Sequence, residues 1–289
     1  MRKPETLGWI DLPEGQSGKF RIEHRITKKG EQMCVRNPRE AIFGGGKPSH
    51  TIAPHDIRLH YLVEDGEATW ASDHPQEIDS QRMCIKGFHG SVLVGGLGVG
   101  LILALLRRDT PGVDSVTVVE KSPEVIELVW DRVMDRRCTV IQDDLFTFLK
   151  MCKAGKRTFD CAYYDSYCPT GEDVLFTHVR PLRELSKGVV TGKVTCWQED
   201  VMTGQLRMEL VTMLSIPDMN PAAKMGDEEF EQHFSRWNRT RLPFWRWYRK
   251  TKPSKGRALA MAELYARDYA YSTPAWRKVF GKFEKGETK

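Results

Sequence analysis

No run of apolar residues in this chain is long enough to cross a bilayer. The longest, Val92 to Leu106, is about 15 residues and contains four glycines, where a membrane helix needs roughly 20. Zinc-ligand spacing is absent too: there is no C-x-x-C and no H-x-x-x-H pair. The seven cysteines, Cys34, Cys84, Cys138, Cys152, Cys161, Cys168 and Cys196, are odd in number and scattered, which argues against a disulfide framework and a structural metal. Gly44-Gly45-Gly46-Lys47-Pro48 is a loop without the strand, helix and Gly-Lys-Ser/Thr of a P-loop. Met1-Arg2-Lys3-Pro4 leads into polar sequence, so no secretory signal is read and a reducing cytoplasm is the expected location. Repeats and long low-complexity segments are missing as well.

What the chain does have is concentrated in residues 91 to 120. Ser91-Val92-Leu93-Val94 reads as a buried parallel strand, Gly95-Gly96-Leu97-Gly98-Val99-Gly100 as a glycine turn, and Leu101 to Arg108 as a helix. Pro111 and Gly112 mark a loop before a second strand, Val116 to Val119, which ends in Glu120. This is a βαβ unit whose first turn lets the backbone approach a nucleotide-like ligand, and whose terminal acid can accept hydrogen bonds from ribose hydroxyls. A dinucleotide fingerprint counted from Gly96 needs a small residue where Leu101 stands. The G-x-G-x-G run of Gly96, Gly98 and Gly100 with an acid about twenty residues on is instead the pattern of S-adenosylmethionine-binding Rossmann-like proteins.

Downstream strands repeat the arrangement. Ser122-Pro123-Glu124 opens a helix with Ser122 as N-cap. Cys138 to Ile141 reads as a third strand followed by Gln142-Asp143-Asp144, with Asp143 the better helix N-cap and Asp144 suited to the adenine amino group. Phe159 to Tyr164 reads as a fourth strand running into Asp165-Ser166-Tyr167-Cys168-Pro169, and Val189 to Trp197 as a fifth. Ligands of open α/β sheets sit beyond the carboxyl ends of the strands. Tyr167, past the strand end, is the best wall residue, while Tyr163 and Tyr164 read equally as wall or packing.

The stretch from 58 to 170 resembles the spermidine synthase family and the spermidine-synthase-like methyltransferases. It shares the VLV-GG-G-G turn, the acid Glu120, the Asp144-Leu145 step and a variant of the D-S-S-D-P motif at Asp165 to Pro169. Arg58 to Val63 and Ala68 to Trp70, around Asp65-Gly66, form a hairpin pattern like the one that precedes the family's cofactor domain. The resemblance implies an α/β, Rossmann-like S-adenosylmethionine-binding sheet with helices on both faces. A small β-rich N-terminal region would span 1–88, the cofactor domain 89–215 and a basic helical tail 216–289. It implies cofactor contacts at Gly95, Gly96, Gly98, Gly100, Glu120, Lys121, Asp143, Asp144 and Asp165, and catalytic roles for Asp165 and Tyr167. The family's first motif acid accepts a proton from an attacking amine, which Asp165 matches. Its second acid holds a polyamine, and Cys168 replaces it. Methyl transfer from S-adenosylmethionine to a small-molecule acceptor is therefore the first expectation. Aminopropyl transfer from decarboxylated S-adenosylmethionine is the second, and a cofactor-binding assembly module without turnover the third. Asp/Asn-Pro-Pro-Tyr, the signature of amino-methylating enzymes, is absent.

Charge is divided unevenly. Residues 235–289 carry 15 Lys+Arg against four Asp+Glu, while the rest of the chain is net negative within a total of +5. Trp237, Phe244, Trp245, Trp247 and Tyr248 interleave with these cations. Such a stretch suits phosphate contact and base stacking on a nucleic acid, but equally docking on the protein itself, on the partner of a homodimer, or on an anionic surface. Composition leaves these alternatives open.

Overall fold

The computed structural model describes residues 5–36, 47–65, 68–167, 174–216, 219–221, 225–237 and 239–284, the side chains of 68 and 235–237 excepted. They form two compact units. One holds the described residues up to Tyr167 together with Leu185–Trp197; the other holds Val174–Glu184 and the residues from Gln198 onward.

The first unit begins with a sheet that is antiparallel except for one parallel pairing, of its first strand along Ile57–Arg58. Its strands are β1 (Glu5–Thr6), β2 (Gly15–Ser17), β3 (Phe20–Thr27), β6 (Ile57–Glu64) and β7 (Ala68–Ser72), in the order β1-β6-β3-β2 with β7 also on β6. A separate pair, β4 (Gln32–Arg36) and β5 (Ser49–Ile52), lies between β3 and β6 in sequence. Alternation sets the faces: Phe20 and Ile22 of β3, and Leu62 of β6, join the interior. The expected hairpin is the β6–β7 pair, though its turn at Gly66 lies outside the described residues.

Within this sheet His60 and Asp73 are both fully buried. The His60 backbone amide donates to Asp73 Oδ1 at 2.7 Å, and its ring Nδ1 lies 2.8 Å from Oδ2. The pair binds the end of β7 to β6. Asp73 immediately precedes His74, the N-cap of helix α1 (Pro75–Ile85).

After α1 come β8 (Gly90–Gly95), α2 (Leu101–Asp109), β9 (Val113–Glu120), α3 (Pro123–Val133), β10 (Cys138–Gln142), α4 (Leu145–Ala154) and β11 (Cys161–Tyr164). Ser122 caps α3 by accepting from the Val125 amide at 3.2 Å, with Pro123 at the first position, where a missing N–H costs nothing. A turn of π-type helix (Leu175–Val179) leads into α5 (Arg180–Ser186), and β12 (Val194–Cys196) follows. All five strands of the second sheet are parallel, in the order β10-β9-β8-β11-β12. This is the Rossmann-like α/β sheet. Successive crossovers run outward from β8 on one side through β9 and β10, then return to its other side at β11. Because such crossovers are right-handed, the helices divide between the two faces. The order reverses between β8 and β11, which makes the carboxyl ends of those strands the natural crevice.

Several boundaries differ from expectation. The fifth strand is only Val194–Cys196; Val190 makes isolated bridges to Phe159 and Lys187 ahead of it. Residue 88 is not a division, because Phe20, Ile22 and Leu62 share one core with Val92, Val94 and Leu103. The helix α6 (Glu199–Ser215) belongs to the second unit rather than to the cofactor sheet.

That second unit is helical: α6, α7 (Asp227–Trp237), α8 (Leu242–Thr251), α9 (Lys255–Tyr269), α10 (Pro274–Phe280) and a 3₁₀ turn (Gly281–Phe283). Its centre is aromatic. Phe244, Tyr265, Trp276 and Phe280 meet ring to ring, with Tyr265 and Phe280 perpendicular at 4.8 Å. Phe244, Trp245 and Trp247 are buried, and Arg241, Arg246 and Arg249 pair with Glu209, Glu231 and Asp227. Of the candidate stacking rings, Phe244, Trp245 and Trp247 thus lie in a hydrophobic core and Tyr248 is half-buried, while the side chain of Trp237 lies outside the described residues; three of the arginines make ion pairs.

Removing one partner of a buried pair leaves the other charge stranded, at a cost of about 3 kcal/mol or more. His60→Ala should lower the urea midpoint accordingly, whereas Ile52→Ala, at a side chain 58% exposed, should stay within about 0.5 kcal/mol of the parent. Equal stability of the two variants would deny the pair its anchoring role.

Candidate functional site

The crevice is built by the ends of β8, β9, β10 and β11. Gly95 closes β8, paired with Val119 on one side and Tyr164 on the other. The Gly96 amide donates to Val119 O at 2.9 Å, and the Asp165 amide donates to Gly95 O at 2.8 Å. Gly96 has φ +94°, and a Cβ there would lie 2.2 Å from the Asp165 carbonyl oxygen. No L side chain fits. Gly100, the N-cap of α2 with φ +75°, would place a Cβ 2.6 Å from Val133 Cγ1. Gly98 sits between them against Ala71 of β7. At the start of α2 the amides of Leu101 and Ile102 precede the first intrahelical bond, which the Leu103 amide makes to Gly100 O at 3.1 Å, and the buried Leu101 occupies the place where a dinucleotide fingerprint has its third small residue.

Glu120 ends β9 and joins two loops. Its Oε2 accepts from the Leu97 amide in the glycine turn and its Oε1 from the Ser122 amide, each at 2.8 Å. Each carboxylate oxygen has a further lone pair, so Glu120 can brace the turn and still accept from two neighbouring hydroxyls. Lys121 is largely exposed and lies 3.6 Å from Asp144 Oδ2. The Asp143 amide donates to Glu120 O at 3.1 Å, and Asp143 Oδ1 accepts from the Asp144 amide at 2.7 Å. The N-cap of α4 is Asp144, not Asp143: its Oδ1 accepts from Thr147 N at 3.1 Å. The strand runs one residue further than expected, to Gln142, which moves the helix start by one.

Asp165 lies at the other side of the crevice, half-buried, one residue beyond β11. The Tyr163 hydroxyl donates to its Oδ2 at 3.1 Å. Burial pushes the carboxyl up to about 7, against the pull of that hydrogen bond. The Tyr163 phenol is itself held well above its ordinary value, first by burial and then by the charge of Asp165, with Cys84 and Glu77 of α1 adding to it. Tyr167, by contrast, is buried and donates its hydroxyl to Trp197 O at 2.9 Å, so it braces the loop after β12. Tyr164 points to the opposite face, 2.7 Å from Ser186 Oγ. Tyr163 is therefore the tyrosine that reaches the acid. A strand places residues i and i+2 on one side, a signal available in the sequence for Tyr163 and Asp165. Cys168 and Pro169 lie outside the described residues. Among the described residues no group of three or more His, Cys, Asp or Glu is arranged to hold a metal ion, and no helix is long and apolar enough to cross a membrane.

A carboxyl whose pKa is raised on folding binds its proton more tightly in the native state, so stability falls as pH rises from about 4 to about 7 and then levels. Asp165→Asn escapes this loss. Relative to the parent it should gain on the order of 3 kcal/mol between pH 4 and pH 8, read as melting curves that diverge upward with pH. Parallel curves would show that the carboxyl is not destabilised in the crevice.

No protein-family model matches the sequence, and no curated protein matches it. Solved structures do. A spermidine synthase in complex with the transition state analogue AdoDATO is 17% identical, over 68% of this chain and 64% of that one, with a TM-score of 0.41. Spermidine synthase from Thermotoga maritima is 13% identical, over 57% and 62%, with a TM-score of 0.35. Human methyltransferase-like protein 13 in complex with SAH is 18% identical, over 39% and 54%, with a TM-score of 0.30. The chain spans less than two thirds of the length of each.

Proposed function

We propose that this chain is an S-adenosylmethionine-dependent transferase that moves the cofactor's methyl group to a small-molecule acceptor. The observation that carries the reading is the meeting, at the point where strand order reverses, of a glycine turn with Glu120 on one side and Asp165 on the other. The donor set suits the cofactor. Glu120 has lone pairs for the ribose hydroxyls, Asp143 and Asp144 lie at the end of β10 where an adenine amino group needs an acceptor, and the turn offers backbone without side chains. Leu101 argues against a dinucleotide. When bound, the cofactor supplies a sulfonium-activated methyl group. The chain must orient an acceptor and accept its proton. Asp165, with its carboxyl near 7, is matched to that task at neutral pH, and Tyr163 holds it in place. Tyr167 supports the wall rather than the chemistry.

Aminopropyl transfer from the decarboxylated cofactor is the second reading. Two features favour it: the mostly antiparallel sheet ahead of the cofactor sheet, and an acid one residue past β11.

Calorimetric titration with S-adenosylmethionine, and separately with its decarboxylated form, tests both. Preference for the carboxylated ligand supports methyl transfer, the reverse preference supports aminopropyl transfer, and binding of neither removes the cofactor. Glu120→Gln should weaken the preferred ligand ten- to a hundredfold, since hydrogen bonds to a charged group are worth about 1.5–3 kcal/mol.

A further inference from the structure

The buried acids among the described residues are paired, and the half-buried Asp165 lacks a cation. Asp73 faces His60, Glu199 faces Arg183, and Asp268 faces Arg267 and Thr273. Asp165 has a phenol as its hydrogen-bond partner and no cation among the described residues. Nor does any described element packed against it bring one. On β11 its neighbour is Tyr163; from α1, Glu77 and Cys84 act on that phenol with the same sign; α4 contributes the apolar Leu145 beside Gly95; the glycine turn contributes backbone; Tyr167 turns its hydroxyl to Trp197. A carboxylate in such a place is an unfilled counter-ion site.

Resting on the cofactor assignment above, we infer that Asp165 reads the charge of the bound cofactor: it gives up a proton to water when a cationic sulfonium ligand enters the crevice, and so discriminates that ligand from the neutral thioether left after transfer. The cycle balances. Binding of the cation releases one proton from the Asp165 carboxyl to solvent. During transfer the acceptor's proton goes to the emptied carboxylate, the carbon–sulfur bond breaks with its electron pair staying on sulfur, and the new bond forms to the acceptor. Asp165 ends protonated beside a neutral product, with no charge left to hold it. The raised affinity of the carboxyl for its proton supports this.

The test uses the full chain and two probes, S-adenosylmethionine and S-adenosylhomocysteine. They share the adenosine and amino-acid portions, and at pH 6 the amine of each is fully protonated, so their own titrations do not enter the count there. Calorimetry at pH 6 in two buffers of different ionisation enthalpy counts protons. S-adenosylmethionine should release about one proton more than S-adenosylhomocysteine, and the excess should vanish by about pH 9. The affinity ratio of the two should rise up to about tenfold per pH unit between about pH 5 and 7 and then level. An opposite charge at close range lowers a carboxyl by about 1–3 units, so the total rise should be about ten- to a thousandfold. Asp165→Asn should bind both probes with a ratio independent of pH. If both probes bind the parent chain with equal proton counts and a flat ratio, the inference is overturned while the cofactor assignment stands. If neither binds, both are overturned. The parent's own pH profile decides even if the Asn variant fails to fold.

Discussion

Two strand ends touch at the backbone of Gly96, and the crevice depends on that contact. A Cβ at this position would stand 2.2 Å from the Asp165 carbonyl oxygen, so the first turn of the sheet can lie against the loop after β11 only where residue 96 has no side chain. The ladder between Gly95 and Asp165 continues β8–β11 pairing one step past the last strand residue. It fixes where the Asp165 carboxyl sits relative to the glycine turn, and Glu120, bonded to the Leu97 amide, fixes the third corner from β9. The crevice is thus held largely by backbone bonds and one bracing carboxylate. Such a frame retains its shape when side chains around it vary, which fits a site whose ligand must be approached by main chain on one side.

The electrostatics follow from the same frame. Acids that end parallel strands lie near helix N-termini, where partial positive charge and first-turn amides compensate them. Asp144 takes that compensation directly as the cap of α4, and Glu120 takes it from two loop amides. Among the described residues Asp165 takes none from an amide or a cation. Its hydrogen-bond support there is the phenol of Tyr163, which itself sits close to Glu77. The contrast separates two kinds of acid in one crevice: those already satisfied by the fold, fitted to accept from neutral hydroxyl and amino groups, and one left in want of a positive charge.

Much of the frame was legible in the sequence because it is local. The glycine turn, Glu120, the Ser122-Pro123 cap and the strand at Cys138 each depend on residues within one βαβ step, and each stands where its pattern says. What was not legible depends on distant packing. A strand starting at Val189 is indicated by β-prone residues, yet regular pairing to β11 begins only at Val194. The identity of the acid-bound tyrosine turned on alternation: Tyr167 lies beyond the strand, where periodicity no longer says which way a side chain faces, while Tyr163 lies inside it. Position 88 is the expected boundary, but Phe20, Ile22 and Leu62 bury their faces in the core of the following sheet, and no pattern along the chain records which core a strand joins.

The C-terminal stretch shows why interleaved aromatics and arginines are ambiguous as a pattern. A helix with rings on one face and cations on the other meets the demands of a base-stacking surface and of an amphipathic bundle helix alike. In this chain the rings at 244 and 247 turn inward to meet those at 265 and 280, the ring at 245 packs on 244 and 234, and Arg241, Arg246 and Arg249 reach acids on α6 and α7. The arginines therefore act chiefly as the polar edge of an aromatic core. The acids that pair with these three arginines, Glu209, Asp227 and Glu231, lie upstream of the basic stretch, so a charge count confined to residues 235–289 leaves those partners out.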